Sequence, residues 1–319
     1  MFSVYGAGKG GWISRIRHHR GINFLTNLRE GAYCDMRTVQ VRAVWKRVTS
    51  VNQHSQTENM NKSRQMWDSM AGTWAADYKT GKGSYYKTRA EIAGQLVQKY
   101  CPTGKYLDFG CGQGFLVGNM ASRGYEAYGC DLSPEMLKIA QKNGEEFGLP
   151  SNRFCVNEEN DVPFHDRFDA ISILGVYPYI QDYDLFTRRI REKLRDGGIV
   201  VATCTNRVSF FTYGALLRNL FRFRIKNYKS WLHSNYALIR TGTWSGGGTS
   251  WRDIGKASRC YSAQSFDEMF LRNSFRCLDS VDLFNLSLLD RGYAERSPVS
   301  KWVARRFAWN HLAVYEKIG

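Results

Sequence analysis

The chain has 319 residues, 43% hydrophobic and 23% charged, with a formal net charge of +16, long enough for one large α/β domain with additions or two modest ones. No apolar run reaches the length of a spanning helix and the N-terminus lacks the apolar segment of a signal peptide, which argues against an integral membrane or secreted protein. The eight cysteines form no C-x-x-C pair and read as reduced thiols, in keeping with a cytoplasmic setting.

The charge is unevenly placed. Residues 1–59 carry nine Lys/Arg against three Asp/Glu (+6) and residues 204–261 ten against one (+9), which leaves +1 for the rest. An electrostatic partner is therefore met by two basic segments flanking a nearly neutral core.

Residues 1–59 show no sustained helical or strand period and read as a disordered or loosely docked basic extension. Its glycine run, Gly6-Ala7-Gly8-Lys9-Gly10-Gly11, lacks the Gly-Lys-Ser/Thr order of a phosphate loop. Three readings of the extension compete: a start upstream of a true one at Met60, which is favoured, an Arg-rich targeting segment, and a nucleic-acid tail.

From Met60 helix and strand patterns alternate, which predicts a mostly parallel sheet. Helices are expected near 61–79 and 86–100, then strands at 105–109 and 125–130. Ser133-Pro134 supply an N-cap and a first-turn proline to a helix reaching about 147. Strands follow near 153–156 and 168–174. Leu185, Phe186, Ile190 and Leu194 line one face of the next helix, which Gly197-Gly198 are expected to end before a strand at 199–203. A late helix over 262–270 and strands over 276–281 and 311–316 complete the pattern. The domain thus occupies 60–203 and 262–319, with a basic, aromatic insertion, 204–261, after the fifth strand.

The first strand ends in Tyr106-Leu107-Asp108-Phe109-Gly110-Cys111-Gly112-Gln113-Gly114. Alternate glycines let the backbone turn sharply and approach a ligand with no Cβ in the way. Position 115 is Phe where a dinucleotide fingerprint needs Gly, so NAD is disfavoured. Asp108 would repel a pyrophosphate and suits a cation instead. Asp131, after the second strand, stands where an acid accepts both ribose hydroxyls. Two acids and a GxGxG turn point to S-adenosylmethionine.

Over roughly 60–204 the sequence resembles the class I S-adenosylmethionine-dependent methyltransferases, and among them the small-molecule group that includes the ubiquinone and menaquinone biosynthesis enzymes. The resemblance implies a Rossmann-like, mostly parallel seven-stranded sheet with helices on both faces. It assigns cofactor contacts to Asp108, Gly110, Cys111, Gly112 and Gly114, and to Asp131-Leu132 in Gly129-Cys130-Asp131-Leu132-Ser133-Pro134. It gives the adenine to Glu158 or Glu159 ahead of Val162-Pro163-Phe164, and places Leu174-Gly175 where the cofactor passes closest. Trp74 and Tyr78 look like the aromatic helix that such enzymes fold over the cofactor, although aromatics four apart also suit a core.

In the insertion, apolar residues at 210, 213, 217, 220 and 221 share a helical face and Lys/Arg follow at 222, 224, 226 and 229. This composition, over 209–232, suits an interfacial helix on an anionic membrane, or a lid packed on the domain. Arg218, Arg222, Arg224, Lys226 and Lys229 would equally meet a phosphorylated substrate. The Asn/Asp-Pro-Pro-Tyr/Phe motif of base-methylating enzymes is replaced by Leu174-Gly175-Val176-Tyr177-Pro178-Tyr179, so a nucleic-acid substrate is disfavoured.

A general base for a hydroxyl acceptor is sought among His233, Tyr177 and Tyr179, while His165 is expected in an exposed turn. No cluster has metal-ligand spacing. The expectation is methyl transfer from S-adenosylmethionine, favouring an oxygen acceptor on a small or lipid-linked metabolite, in the cytoplasm or at a membrane surface. The alternatives are methylation of a sugar or nucleotide-sugar in surface-glycan biosynthesis, transfer of another group of the same cofactor, and a non-catalytic cofactor-binding scaffold.

Overall fold

The computed structural model describes residues 4–7, 11–17, 23–28, 60–78, 84–158, 161–180, 182–206, 209, 261–284 and 297–319. The chain divides into two units, Met1–Ser55 and Gln56–Gly319. The first contains three antiparallel strands, β1 (Val4–Ala7), β2 (Gly11–Arg17) and β3 (Asn23–Leu28), in the order β1-β2-β3. Gly6 pairs with Trp12 and Ile16 with Phe24. These strands were not among the elements expected from the sequence. The strands are four to seven residues long, and in β2 Ile13 interrupts the alternation of Trp12, Ser14 and Ile16, so no sustained period marks them in the sequence.

The second unit begins with two helices, α1 (60–78) and α2 (Ser84–Tyr100), and then alternates strand and helix. In order come β4 (Lys105–Phe109), α3 (Phe115–Ala121), β5 (Glu126–Asp131), α4 (Pro134–Glu145), β6 (Phe154–Val156), β7 (Phe168–Ile173), α5 (Tyr183–Lys193) and β8 (Leu194–Thr205). After these come α6 (Ala263–Arg272), β9 (Phe275–Leu283), α7 (Pro298–Phe307) and β10 (Asn310–Lys317). The strands form one seven-stranded sheet in the order β6-β5-β4-β7-β8-β10-β9. The first five are parallel, and β10 lies antiparallel between β8 and β9. The order reverses between β4 and β7, so the crevice beyond the carboxyl ends of these two strands is where such a sheet accepts a ligand.

Alternate residues of each buried strand serve opposite layers. Leu107, Phe109, Ile171 and Val200 pack with Phe186, Ile190, Phe266 and Phe270 of α5 and α6. Tyr106, Ala127, Ala170 and Val201 pack with Leu96, Val97, Val117 and Leu137 of α2, α3 and α4. Ser133 caps α4, its hydroxyl accepting from the Met136 amide, and Pro134 follows at the first turn.

Two readings of the α5 region are corrected. Phe186 and Ile190 are fully buried, but Leu185 faces outward. The helix stops at Lys193, before the glycine pair, because Leu194 is already extended (φ −87°, ψ 145°) and pairs with Phe168. Gly197-Gly198 instead form an irregularity inside β8. A Cβ at Gly198 would lie 2.9 Å from the Arg195 carbonyl and 3.1 Å from that of Asp169.

A buried polar cluster ties α6 and α7 to the antiparallel strands. His311 Nδ1 lies 2.7 Å from Asp282 Oδ1 and its Nε2 3.0 Å from Asp267 Oδ1. Tyr315 donates to the same Asp267 oxygen at 2.6 Å, and Arg305 of α7 pairs with the other. Burial opposes charge on His311, but the hydrogen bonds to Asp267 and Asp282 outweigh it and raise its pKa to about 9.

The insertion expected over 204–261 lies, except for 204–206, 209 and 261, outside the described residues. Its ends are held together: Asn206 and Tyr261 form a parallel bridge, the Tyr261 amide donates to Thr205 at 3.0 Å, and that of Asn206 to Trp309 at 2.7 Å. Among the described residues no helix is long and apolar enough to cross a membrane.

Candidate functional site

β4 delivers its last residues into a turn with three left-handed glycines, Gly110 (φ +79°), Gly112 (φ +53°) and Gly114 (φ +80°). At Gly110 a Cβ would overlap Val176, and at Gly114 it would lie 3.1 Å from Ala140, so both are held to glycine by space as well as by φ. A Cβ at Gly112 would meet only Trp74 Nε1 at 3.9 Å, so the turn opens toward that indole.

The turn is fastened to the end of β5. The amides of Gly110 and Cys111 donate to the Cys130 carbonyl at 2.8 and 3.0 Å. Asp131 Oδ2 accepts from the Gly112 amide at 2.8 Å, and Oδ1 from that of Ser133 at 2.9 Å. Burial raises the Asp131 pKa, and backbone hydrogen bonds from Ser133, Gly112 and Leu132 oppose the rise. A carboxylate has about four acceptor sites, and three are met by these backbone amides, so Asp131 retains capacity for a ribose hydroxyl.

Asp108 is only 4% exposed. Burial pushes its carboxyl up to about 7; a hydrogen bond from Ser172 opposes this, Asp131 adds to it, and Arg89 lowers it. The Arg89 guanidinium of α2 lies 5.4 Å from the Tyr86 ring and 5.8 Å from that of Tyr85. Its buried Nε has no hydrogen-bond partner among the described residues. Gly175 (φ +80°) leaves room for it, since a Cβ there would sit 3.2 Å from Arg89 Nη1. The Gly175 amide is bound to Thr203 Oγ1 at 2.8 Å. Leu174 packs, partly buried, against the layer of α2 and α3.

α1 crosses the glycine turn and is pinned to the start of α4. Arg64 Nε donates to the Leu132 carbonyl at 3.1 Å, and Asp68 accepts from the Ser133 hydroxyl and, at 3.4 Å, from the Glu135 amide. These contacts bring Trp74 and Tyr78 to the site, where Trp74 packs 4.4 Å from Tyr86 and Tyr78 5.7 Å from Phe115. Burial pushes the Tyr78 pKa to about 12, so its phenol stays neutral. Trp67 extends the wall with edge contacts to Trp74 at 5.5 Å and Tyr179 at 6.0 Å.

The remaining expected residues divide. Cys111 is buried in the turn. Glu158 faces solvent and Glu159 lies outside the described residues. The buried side chain at the end of β6 is Asn157, one position earlier. Its amide donates to Asp131 O at 3.0 Å, and its Oδ1 has no partner among the described residues. Tyr177 is corrected as a base: it is fully buried among Phe186, Phe266 and Phe270, bonded to Thr187 at 3.1 Å, and burial raises its pKa far beyond the range of a base. The short 177–179 turn sends it into the core and Tyr179 to the aromatic wall. His165 is exposed, while His233 and the basic residues from Arg218 to Lys229 lie outside the described residues.

Sequence reasoning missed Arg89 and Asn157. The signal for Asn157 was its place directly after a strand, and Arg89 sits one helical turn before the buried Ala93 on α2.

The donors present fit S-adenosylmethionine. Asp131 suits a ribose, Asp108 and the orphaned Arg89 suit an ammonium and a carboxylate, and Asn157 offers an amide to a base edge.

Residues 107–202 match the family described as "Methyltransferase domain". A ubiquinone biosynthesis O-methyltransferase of Chromobacterium violaceum is 34% identical over 106 residues, 32% of this chain and 45% of the relative. A probable fatty acid methyltransferase of Mycobacterium tuberculosis is 32% identical over 108 residues, 33% of this chain and 25% of the relative. The chain thus spans less than half the length of these curated relatives. The crystal structure of a magnesium protoporphyrin IX methyltransferase from Synechocystis PCC 6803, with bound SAH, superposes with a TM-score of 0.52 at 14% identity, covering 81% of this chain and 99% of that one. Sheet order, glycine turn and family match agree that this chain carries the Rossmann-like fold of the class I S-adenosylmethionine-dependent methyltransferases, with its methyltransferase-domain match over residues 107–202.

Proposed function

We propose that this chain transfers the methyl group of S-adenosylmethionine to an oxygen of a small or lipid-linked acceptor. The observation that carries the reading is the pair of acids, buried Asp108 and half-buried Asp131, on either side of a glycine turn whose Gly112 amide is bonded to Asp131. When bound, the cofactor supplies an already activated sulfonium methyl. The protein's task is to hold it, align the acceptor and exclude water, and alignment contributes about 7–11 kcal/mol to such reactions. Asp131 holds the ribose, Asp108 and Arg89 the charged amino-acid end, and Trp74 and Tyr78 shield the site. The wall from Trp74 through Trp67 to Tyr179 favours an acceptor with an apolar or aromatic body. The name of the Chromobacterium violaceum relative favours oxygen as the atom methylated. Tyr179 and His233 remain the candidates for taking the hydroxyl proton. The basic segment 204–261 supports an anionic partner, a phosphorylated acceptor or a membrane surface, in a cytoplasmic setting.

Protein incubated with methyl-labelled S-adenosylmethionine and host-cell extract should transfer label to the organic phase, and Asp131→Ala should not. Label confined to the aqueous phase would move the acceptor to a sugar or nucleotide-sugar. Cofactor binding with no transfer in any extract would favour the non-catalytic scaffold.

A further inference from the structure

Asp108 does not stand alone in its buried site. Register pairs it with Ser172 across β4 and β7, and the Ser172 hydroxyl donates to Asp108 Oδ1. The same Ser172 oxygen lies 2.5 Å from the hydroxyl of Tyr106, two residues before Asp108 on the same face of β4. A serine hydroxyl has one proton. Since Ser172 gives it to Asp108, Tyr106 must donate to Ser172, and the three groups form a directed chain ending on the carboxylate. Tyr106 and Ser172 are both 0% exposed, so no water competes with the chain along their side chains.

The other groups facing Asp108 do not fix its charge. Asp131 at the end of β5 disfavours it, and Arg89 on α2 favours it less strongly than burial opposes it. The neighbouring thiols Cys111 and Cys130 and the Tyr78 phenol of α1 are held neutral, their pKa values raised by burial. The hydroxyl chain and Arg89 are what favour the anion.

We propose that Tyr106 and Ser172 are positioning residues that poise Asp108 between its two protonation states, so that arrival of the cofactor's cationic end expels one proton from Asp108 to solvent. The inference rests on the cofactor reading above and adds a pH dependence to it. Bound cation and released proton balance, so the site gains no net charge. Near neutral pH the empty site holds an acid that burial has pushed up to about 7, and binding completes its ionisation.

The test is calorimetric titration of the full chain with S-adenosylmethionine and S-adenosylhomocysteine between pH 5.5 and 7.5, in two buffers of different ionisation enthalpy. Asp108→Asn serves as the reference that cancels the ligands' own titration. The expected result is release of close to one proton at the acid end, with affinity rising about tenfold over the first pH unit relative to Asp108→Asn. Ser172→Ala and Tyr106→Phe should move the midpoint of this rise to higher pH. Thermal melts confirm that each variant is folded, and the two variants remove the chain at different points, so one suffices if the other fails to fold. Equal loss of affinity at every pH, with the midpoint unmoved, would overturn the positioning role. Binding whose pH dependence matches that of Asp108→Asn would overturn the proton coupling. Absence of binding of either ligand at any pH would instead overturn the cofactor reading, and this inference with it.

Discussion

The Gly112 amide points at Asp131 Oδ2 from 2.8 Å, so the glycine turn after one strand is moored to the acid that ends the next. Asp131 therefore acts twice, as a candidate ribose ligand and as the anchor of the turn. Asp131→Ala should weaken S-adenosylhomocysteine binding by about 10- to 100-fold, the range for removing charge-assisted hydrogen bonds. Calorimetry that finds the affinity unchanged would place the ribose elsewhere.

Two left-handed glycines allow strain to be separated from collision. Gly124 (φ +89°) has open space where a Cβ would stand, whereas at Gly114 (φ +80°) the Cβ would press on the backbone of α4, 3.2 Å from Ala140 Cα. Gly124→Ala should cost about 1 kcal/mol of backbone strain. Gly114→Ala should cost about 1–3 kcal/mol more, as overpacking does. Melting curves should therefore show the larger loss of Tm at Gly114, and equal losses would mean that α3 and α4 yield freely.

The His311 cluster makes stability pH-dependent in a defined direction. Its folded pKa of about 9 lies above the ordinary 6.5, so its contribution is fully present below about pH 6.5 and is lost as pH rises through 9. The Tm of the wild type should fall between pH 7 and 10 more steeply than that of His311→Gln. At pH 7 that variant should be less stable by about 3–5 kcal/mol, the range for removing one partner of a buried ion pair. Parallel pH curves for the two proteins would rule out a charged His311.

Trp74 is the side chain toward which the Gly112 turn opens. Cofactor binding should quench tryptophan fluorescence, and Trp74→Phe should lose most of that quench. Trp74→Ala should bind S-adenosylhomocysteine about 3- to 10-fold more weakly, in line with loss of an aromatic contact. A full quench in Trp74→Phe would assign the signal to Trp67 or another indole.

The parallel strands and the glycine turn were legible in the sequence because they depend on local pattern. Tyr106, Leu107 and Phe109 form a short apolar run buried on both faces and ending at Gly110. What escaped depends on neighbours distant in sequence. Gly197-Gly198 look like a helix stop, yet the role of Gly198 is set by the close approach of Asp169 from the adjacent strand. α7 was not foreseen although Val299, Trp302, Val303 and Phe307 recur at helical spacing; the stripe is weakly used, since Val299 and Trp302 are 72% and 64% exposed and Ala304 is its buried residue. The choice between Tyr177 and Tyr179 turns on a three-residue turn that sends one ring inward and the other to the site. At the end of β6 the structure buries Asn157 and leaves Glu158 facing solvent, a difference of one position that strand ends do not reveal in a sequence, and the backbone at Asn157 is bonded to Asp131.

The bridge between Asn206 and Tyr261 gives the domain a seam. Thr205 and Tyr261 are already hydrogen-bonded neighbours, and Asn206 is locked to Trp309. Whatever joins these two positions has only to close a short gap, and the entropy of closure grows slowly with the length of chain between them. A change in the length of the joining chain would therefore act on the sheet through this seam, at Thr205, Asn206 and Tyr261, at a distance in the fold from the glycine turn after β4.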